Sequence, residues 1–269
     1  MLLETRTVEK PWGVDQLPPP FSNDGTARIG EIWFEPPAAL PQLLVKYIFT
    51  SEALSVQVHP SDSQTQKAGL GKQGKEECWL VIDAEPGARL GIGLARPLDQ
   101  QALRAAALDG SIEDLLAWHE VAKGDFFYIP AGTVHAIGAG VSIIEIQQNS
   151  DITYRLYDYG RPRELHLEQG VAVARPVPHD PALCRHLAAN GSVELVSGPH
   201  FRLDRVDGQP DVGMVTRYPG KLLVIPLDGD VTVSGEVARP GGCALATSLA
   251  EVEFADSGQC LLAAPVTPA

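Results

Sequence analysis

Two histidines, a glutamate and a glutamine supply residue types and spacings from which chemistry can be built. Gln57 and His59 stand two apart in SVQVHPSD, residues 55–62, and in an extended strand that spacing puts both side chains on one face. A buried face then holds an amide beside an imidazole. Polar groups withdrawn from water need partners, so the pair asks for a hydrogen-bond network or a metal ion. GKEECWLVID (74–83) offers Glu77, and FYIPAGTVHAIG (127–138) offers His135. Strand parity separates the adjacent glutamates. Glu77, Trp79 and Val81 share one face, while Glu76, Cys78, Leu80 and Ile82 share the other, so only one carboxylate can point inward. His59, Glu77 and His135, with Gln57 as a fourth, offer nitrogen and oxygen donors from three strands. Such a set suits Zn²⁺, Fe²⁺, Mn²⁺ or Ni²⁺, and without a thiolate the donor types leave that choice open. Three or four protein ligands leave a position for water or substrate, which a catalytic metal requires.

Two further groups extend this candidate site. Lys75 stands two before Glu77 and so shares its face, where burial beside a metal would lower its pKa toward an acid/base range. Glu145, Gln147 and Asn149 alternate along IIEIQQNS (143–150) and share a face. That pattern suits a polar cavity, and a solvent-facing sheet surface would look the same.

The elements that must position these residues are mainly strands. Residues 1–28, with Pro11, Pro18, Pro19 and Pro20, read as an irregular arm with one short strand. From Gly30 onward GEIWFE, LLVKYIFT, CWLVIDA, RLGIGL, VAKGDFFYIPAG, VSIIEIQQNS and ITYRLYDYG are rich in aromatic and branched residues, as strands are. SDSQTQKAGLGKQG (61–74) is a loop or a short helix ending in glycine, long enough to form a rim or lid. A helical insertion is predicted over 98–119, where Leu103, Ala106 and Ala107, then Ile112, Leu115 and Leu116, recur at three and four. Gly110 and Ser111 divide it, with Ser111 and Asp114 resembling a capping box. Prolines at 162, 176, 178 and 181 mark 162–190 as a linker with little regular structure. From 191 to 269 short strands resume, among them SVELVS, HFRLDRVD, GMVTRY, KLLVIPL and CLLAAPV. Their even spacing, broken by Gly and Pro, predicts a second all-β barrel or sandwich. RPGGCALATS (239–248) echoes KGDFFYIPAG (123–132), without the histidine.

Composition narrows the partners. A formal net charge of -13 argues against nucleic acid and against an anionic membrane surface, both of which attract cationic proteins. A phosphorylated substrate would have to be held by a few local cations. The opening MLLETRTVEKPWG carries charges from residue 4 and has no apolar core of a leader, so no secretory signal is expected. No apolar run approaches the roughly 20 residues of a membrane helix. Four cysteines, at 78, 184, 243 and 260, form no CxxC pair, which reads as reduced thiols in a cytoplasmic protein and excludes a cysteine-ligated structural zinc.

The ordered motifs KPWG, GEIW, LLVKYIF, SVQVHPSD, GKEECW, GDFFYIPAGTVHAI and QQNSD, between Lys10 and Arg161, resemble the type I mannose-6-phosphate isomerases of the cupin superfamily, particularly their short bacterial form. The resemblance implies an all-β fold of two cupin-type barrels, a bicupin, with a short helical insertion. The catalytic metal-binding domain would be 1–161, the linker 162–190, and a metal-free barrel 191–269. It also implies one Zn²⁺ per chain at Gln57, His59, Glu77 and His135, other divalent ions being compatible. The activity implied is interconversion of mannose 6-phosphate and fructose 6-phosphate by proton transfer between C1 and C2. Lys75 matches a lysine proposed for proton transfer in that family. Arg155, in DITYR, resembles its active-site arginine, a guanidinium suited to holding a phosphate or polarising substrate oxygens. Asp151, four residues earlier, would orient it or join a proton relay. Glu145 and Gln147 are the expected substrate contacts, and Arg161 and Arg163 are further phosphate candidates. The large helical insertion of long family members is reduced here to 98–119. The expected partner is a small sugar phosphate, with the chain a monomer or homodimer. The competing readings are an Fe²⁺ or Mn²⁺ cupin dioxygenase and a non-catalytic sugar-phosphate-binding cupin.

Overall fold

A computed structural model describes residues 1–266. Two sheets face each other in the N-terminal part. The larger has seven strands in the order Thr5–Val14, Ile29–Phe34, Leu43–Phe49, Val141–Gln148, Glu77–Ala84, Asp125–Ile129 and Cys184–His186. The smaller has five, in the order Tyr154–Tyr157, Val56–Val58, His135–Ile137, Arg89–Leu94 and Leu116–Glu120. All the pairings are antiparallel. Leu43–Phe49 is buried at every position, which explains why it reads as an apolar run rather than an alternation.

Parity then distributes the strand Glu77–Ala84. Trp79 and Val81 join Leu90, Ile92 and Ile137 between the two sheets, whereas Cys78 and Leu80 face outward into a second core. That second core is shared with the C-terminal part. Tyr128, Ile144 and Ile146 meet Phe201, Leu223, Ile225 and Leu261 there.

The C-terminal part repeats the plan with fewer strands. Its five-stranded sheet runs Val193–Ser197, Phe201–Asp207, Gln259–Pro265, Leu222–Asp228 and Ala244–Ala246, and a three-stranded sheet runs Glu236–Ala238, Val231–Val233 and Val252–Glu253. The N-terminal succession Val141–Gln148, Glu77–Ala84, Asp125–Ile129 reappears as Gln259–Pro265, Leu222–Asp228, Ala244–Ala246. The echo between the 123–132 and 239–248 segments is thus a repeat of place within the sheet. Between the C-terminal sheets lie Leu222, Val224, Val233, Ala246 and Leu262, an apolar filling with no cluster of potential metal ligands among the described residues. The fold is all-β with two cupin-type units.

Several local expectations are corrected. The N-terminal arm contains a ten-residue strand, Thr5–Val14, with register breaks between Glu9 and Val14, around Pro11, which cannot donate to the ladder. The helical reading of 98–119 is too long. Helices cover Gln100–Asp109 and Ile112–Leu115, but Leu116–Glu120 is a strand paired with Arg89–Leu94. Ser111 makes no side-chain cap. GMVTRY is not a strand: Asp211 caps a helix over Val212–Arg217 by accepting from Met214 N at 2.8 Å. Within 162–190 the structure places a helix, Leu167–Val173, and a strand, Cys184–His186, that adds to the large sheet against Asp125–Ile129. The 61–74 segment resolves to a helix over Asp62–Lys67 with a complete capping box at Ser61 and Gln64. Among the described residues no helix is long and apolar enough to cross a membrane.

Phe201 has no exposed surface and packs at 6.0 Å from the Tyr128 ring across the two units. Truncation to Ala should cost about 3–5 kcal/mol through lost burial and an unfilled cavity. Urea unfolding followed by tryptophan fluorescence checks this, and a loss below about 1 kcal/mol would show the shared core to be loosely packed.

Candidate metal centre and adjoining cavity

The facing sheets bring the four metal candidates together. Gln57 and His135 are direct register partners in the small sheet. Glu77 opens a strand of the large sheet opposite them, and His59 follows Val56–Val58. His59, Glu77 and His135 are buried to 2%, 0% and 0% exposure, and a ligand atom from each lies within 4.8 Å of the others. His59 Nε2 is 3.5 Å from Glu77 Oε2, and His135 Nε2 is 3.4 Å from Glu77 Oε1. Gln57 Nε2 is 3.2 Å from His135 Nε2. Glu76 turns away, as parity requires, toward the Tyr128 hydroxyl.

The tautomers favour a cation. His59 Nδ1 lies 3.0 Å from the Ile152 carbonyl and His135 Nδ1 lies 2.9 Å from the Thr133 carbonyl. A carbonyl only accepts, so each Nδ1 carries the proton and each Nε2 presents a lone pair. Burial holds His59 well below the ordinary histidine range, with Lys75 adding to the effect. Burial also lowers His135, although Glu77 opposes it. Burial raises Glu77, but Lys75 and His135 outweigh that and its pKa falls below the usual carboxylate value. Glu77 Oε1 is buried without a hydrogen-bond partner. Two neutral imidazoles and an ionised carboxylate with an orphaned oxygen fit a divalent ion held by nitrogen and oxygen.

Lys75 is the fifth group at this centre. Its ammonium donates to Glu77 Oε2, lies 3.1 Å from His59 Nε2, and stands 3.8 Å from Glu145 Oε1. Burial lowers its pKa, but Glu145 and Glu77 outweigh burial and the net shift is upward. The two carboxylates that face the same ammonium thus outweigh the burial on which the expectation of a lowered lysine rested.

A cavity of about 330 Å³ opens beside the centre, and Gln57, Lys75, Glu145, Asp151 and Arg155 all line it. Arg155 is the register partner of Gln57. Its Nη1 donates to the Glu164 carbonyl at 2.6 Å, while its buried Nε has no partner. Burial and neighbouring Arg163 lower its pKa. Asp151 makes no ion pair with Arg155 among the described residues, so the two share the cavity without one orienting the other. Arg163 also lines the cavity but is held bidentately by Asp158, at 2.6 Å twice. Arg161 instead donates to the Ala53 carbonyl.

Gln147 departs from the expected substrate contact. It lies opposite Glu77 in the register, fully buried, and its amide donates to the Gln148 and Ser150 carbonyls at 2.8 and 2.7 Å. It therefore anchors the end of its strand, and the cavity wall does not include it.

On the far wall, residues without a role in the sequence reading join the expected substrate contact Glu145. Trp33, Lys46, Glu145 and Trp79 form one cross-strand row on the inner face of the large sheet. Lys46 Nζ is 3.2 Å from Glu145 Oε1 and 4.4 Å from the Trp33 ring centroid. Trp79 Nε1 donates to Glu145 Oε2 at 3.0 Å. Lys10 and Glu31 pair at 3.3 Å, and Trp33 Nε1 donates to the same Glu31 carboxylate at 2.8 Å. The available signal was Lys46, a charge at an inward position of an otherwise apolar strand.

Comparison with known proteins supports the sequence resemblance. The chain is 36% identical over 211 residues to mannose-6-phosphate isomerase ManA of Bacillus subtilis, covering 74% of this chain and 65% of that relative. It is 38% identical over 204 residues to mannose-6-phosphate isomerase of Streptococcus mutans, covering 72% and 64%. The chain thus spans somewhat less than two thirds of those relatives. The structure superimposes on a mannose 6-phosphate isomerase from Bacillus subtilis with a TM-score of 0.77 at 23% identity, over 97% of this chain and 98% of that one. A Salmonella typhimurium phosphomannose isomerase gives a TM-score of 0.73 at 13% identity over 99% of both chains. No protein-family model matches.

His135→Ala should leave the fold intact and reduce bound divalent metal by more than about tenfold, in line with loss of one of few ligands. Elemental analysis after dialysis against a metal-buffered solution tests this. Undiminished metal would place the ion elsewhere.

Proposed function

We propose that the chain, 36% identical over 211 residues to a mannose-6-phosphate isomerase, interconverts mannose 6-phosphate and fructose 6-phosphate. The observation that carries the reading is the convergence of His59, Glu77 and His135 lone pairs behind Gln57 and Lys75, which line the adjoining cavity together with Arg155. His59, Glu77 and His135, with Gln57, would hold one divalent ion, which we take to be Zn²⁺. Bound there, such an ion supplies Lewis-acid polarisation of a sugar oxygen.

The chain's own groups do the remaining work. Aldose to ketose conversion moves a proton between C1 and C2 and develops negative charge on oxygen. Lys75 reaches the centre from a buried position between Glu77 and Glu145, where it can deliver or recover a proton and offset that charge. Glu145, itself held by Trp79 and Lys46, keeps the ammonium in place. Arg155 lines the cavity with no ion-pair partner among the described residues and would hold the sugar phosphate, while Lys10 and Lys46 are already matched by Glu31 and Glu145. The phosphate is therefore assigned to the Arg155 side, with Arg163 and Asp151 on the same wall. An acidic chain of net charge -13 confines the anion to such a local cation.

Residues 1–161 are read as the catalytic unit, 162–190 as the connection, and 191–269 as a metal-free barrel, of which 267–269 lie outside the described residues. Four free cysteines support a cytoplasmic setting. The partner is a small sugar phosphate rather than nucleic acid, and a monomer or homodimer would serve.

Chelation followed by reloading with Zn²⁺ should abolish and then restore fructose 6-phosphate formation from mannose 6-phosphate. Tight sugar-phosphate binding without turnover would favour the non-catalytic binder, and oxygen uptake with Fe²⁺ would favour the dioxygenase. Arg155→Ala should lower kcat/KM by about 10²-fold or more, as loss of a charge-assisted substrate contact does, with metal content unchanged. Loss of metal in that variant would mean that Arg155 supports the centre instead of the substrate.

A further inference from the structure

The segment between the two loop-borne ends of the metal set is held from both sides by side chains that take no part in the chemistry described above. His59 leads through Pro60 and Ser61 into the helix Asp62–Lys67, and the chain returns through Gly74 to Lys75 and Glu77. The two ends meet closely. Lys75 N donates to the Pro60 carbonyl at 3.0 Å, and Gly74 N donates to Asp62 Oδ1 at 2.7 Å. A Cβ on Gly74 would stand 2.3 Å from the Pro60 oxygen, so glycine is required for this approach.

Gln148 ties both flanks together. Its Nε2 donates to Asp62 Oδ1 at 2.9 Å, and its Oε1 accepts from Glu76 N at 3.0 Å. The C-terminal unit then adds the His200 side chain. His200, just before Phe201–Asp207, places Nδ1 3.5 Å from Asp62 Oδ2 and 3.2 Å from Gln148 Nε2, and Nε2 3.5 Å from Glu76 Oε1. Tyr128 donates to the other oxygen of Glu76, and its ring packs on Phe201. His200 is itself anchored, its carbonyl accepting from Val266 N at 2.9 Å.

We propose that His200 is a positioning residue through which the C-terminal unit fixes the backbone that presents Lys75 and Glu77. This rests on the isomerase reading for its kinetic consequence, but not for its structural one. Asp62 and Glu76 sit at the two ends of the loop, one three residues after His59 and the other between Lys75 and Glu77. An imidazole spanning both carboxylates closes the loop as a clasp. Glu76 raises the His200 pKa by hydrogen bonding and charge, with Asp62 adding to it and burial opposing, so the clasp gains a charge when protonated. His200 retains a quarter of its side-chain exposure, so its removal leaves no sealed cavity. The proposal gives the C-terminal unit a part in the reaction without a ligand or substrate contact of its own.

The test compares full-length wild type, His200→Ala and His200→Gln, the last retaining an amide that donates to a carboxylate. Turnover of mannose 6-phosphate, metal content and amide hydrogen exchange are measured on each. His200→Ala should lower kcat about tenfold to a hundredfold, the scale of a small misplacement of catalytic groups. KM should stay within about twofold and metal content should not change. Exchange should accelerate over 60–77 and not over the strands Phe201–Asp207 and Gln259–Pro265, and His200→Gln should recover part of both effects. Unchanged kcat, loss of metal, or acceleration spread over the C-terminal strands would each overturn the proposal. Should wild type show no turnover at all, the isomerase reading fails, and the confinement of faster exchange to 60–77 alone decides the clasp.

Discussion

A carboxylate with none of its surface in water is the constraint on which the rest of the molecule depends. An ion such as Glu77 loses several kcal/mol of hydration on burial unless neighbours replace it. Here the Lys75 ammonium does so at Oε2, while Oε1, facing the His135 Nε2 lone pair without a hydrogen-bond partner, is left for a cation. None of these partners lies beside Glu77 on an adjacent strand of its own sheet. Gln57 and His135 come from the opposite sheet, His59 from the end of one of its strands, and Lys75 from the loop that returns to Glu77. The polar centre therefore forms only when the sheets close over one another, and closure is driven by the apolar filling of Trp79, Val81, Leu90, Ile92 and Ile137.

The same logic extends along the cavity. Trp33, Lys46, Glu145 and Trp79 form a row in which each charge faces an opposite charge, an indole N–H or an aromatic face. A charged wall of this kind can be buried because its members satisfy one another. It also leaves Arg155, with an unpartnered Nε, as the distinct cation on the opposite side. Among the described residues the C-terminal unit shows no comparable cluster, and Leu222, Val224 and Leu262 fill the space between its sheets. Its contribution to the first unit is the cover it provides for the outward face of the large sheet, where Cys78, Leu80 and Ile144 would otherwise meet water.

Much of this was legible in the residues because strands alternate. Parity separates Glu77 from Glu76 so that only one can point inward, and it joins Gln57 to His59. The remaining residues needed information that period two does not carry. Lys46 and Glu31 become recognisable as cavity residues only when cross-strand register sets them beside Glu145 and Trp33. Gln147 has the inward parity of Glu145, yet its position at the strand end lets it turn to two backbone carbonyls. The pKa of Lys75 depends on a competition between burial and two carboxylates, and only distances decide the winner. Leu116–Glu120 continues an apolar spacing compatible with a helix, and its pairing with Arg89–Leu94 overrides that local preference. His200 lies 141 positions after His59, and nothing local to either foretells their connection through Asp62.

The central claim is that one divalent ion sits among two imidazoles and a carboxylate, with oxygen or nitrogen donors only. X-ray absorption at the edge of the metal in the loaded, substrate-free protein tests this most directly. The account predicts nearest neighbours that are all nitrogen or oxygen at about 2.0–2.2 Å, with the outer-scattering pattern of two histidine rings. A sulfur neighbour at about 2.3 Å, or a spectrum without imidazole scattering, would contradict it.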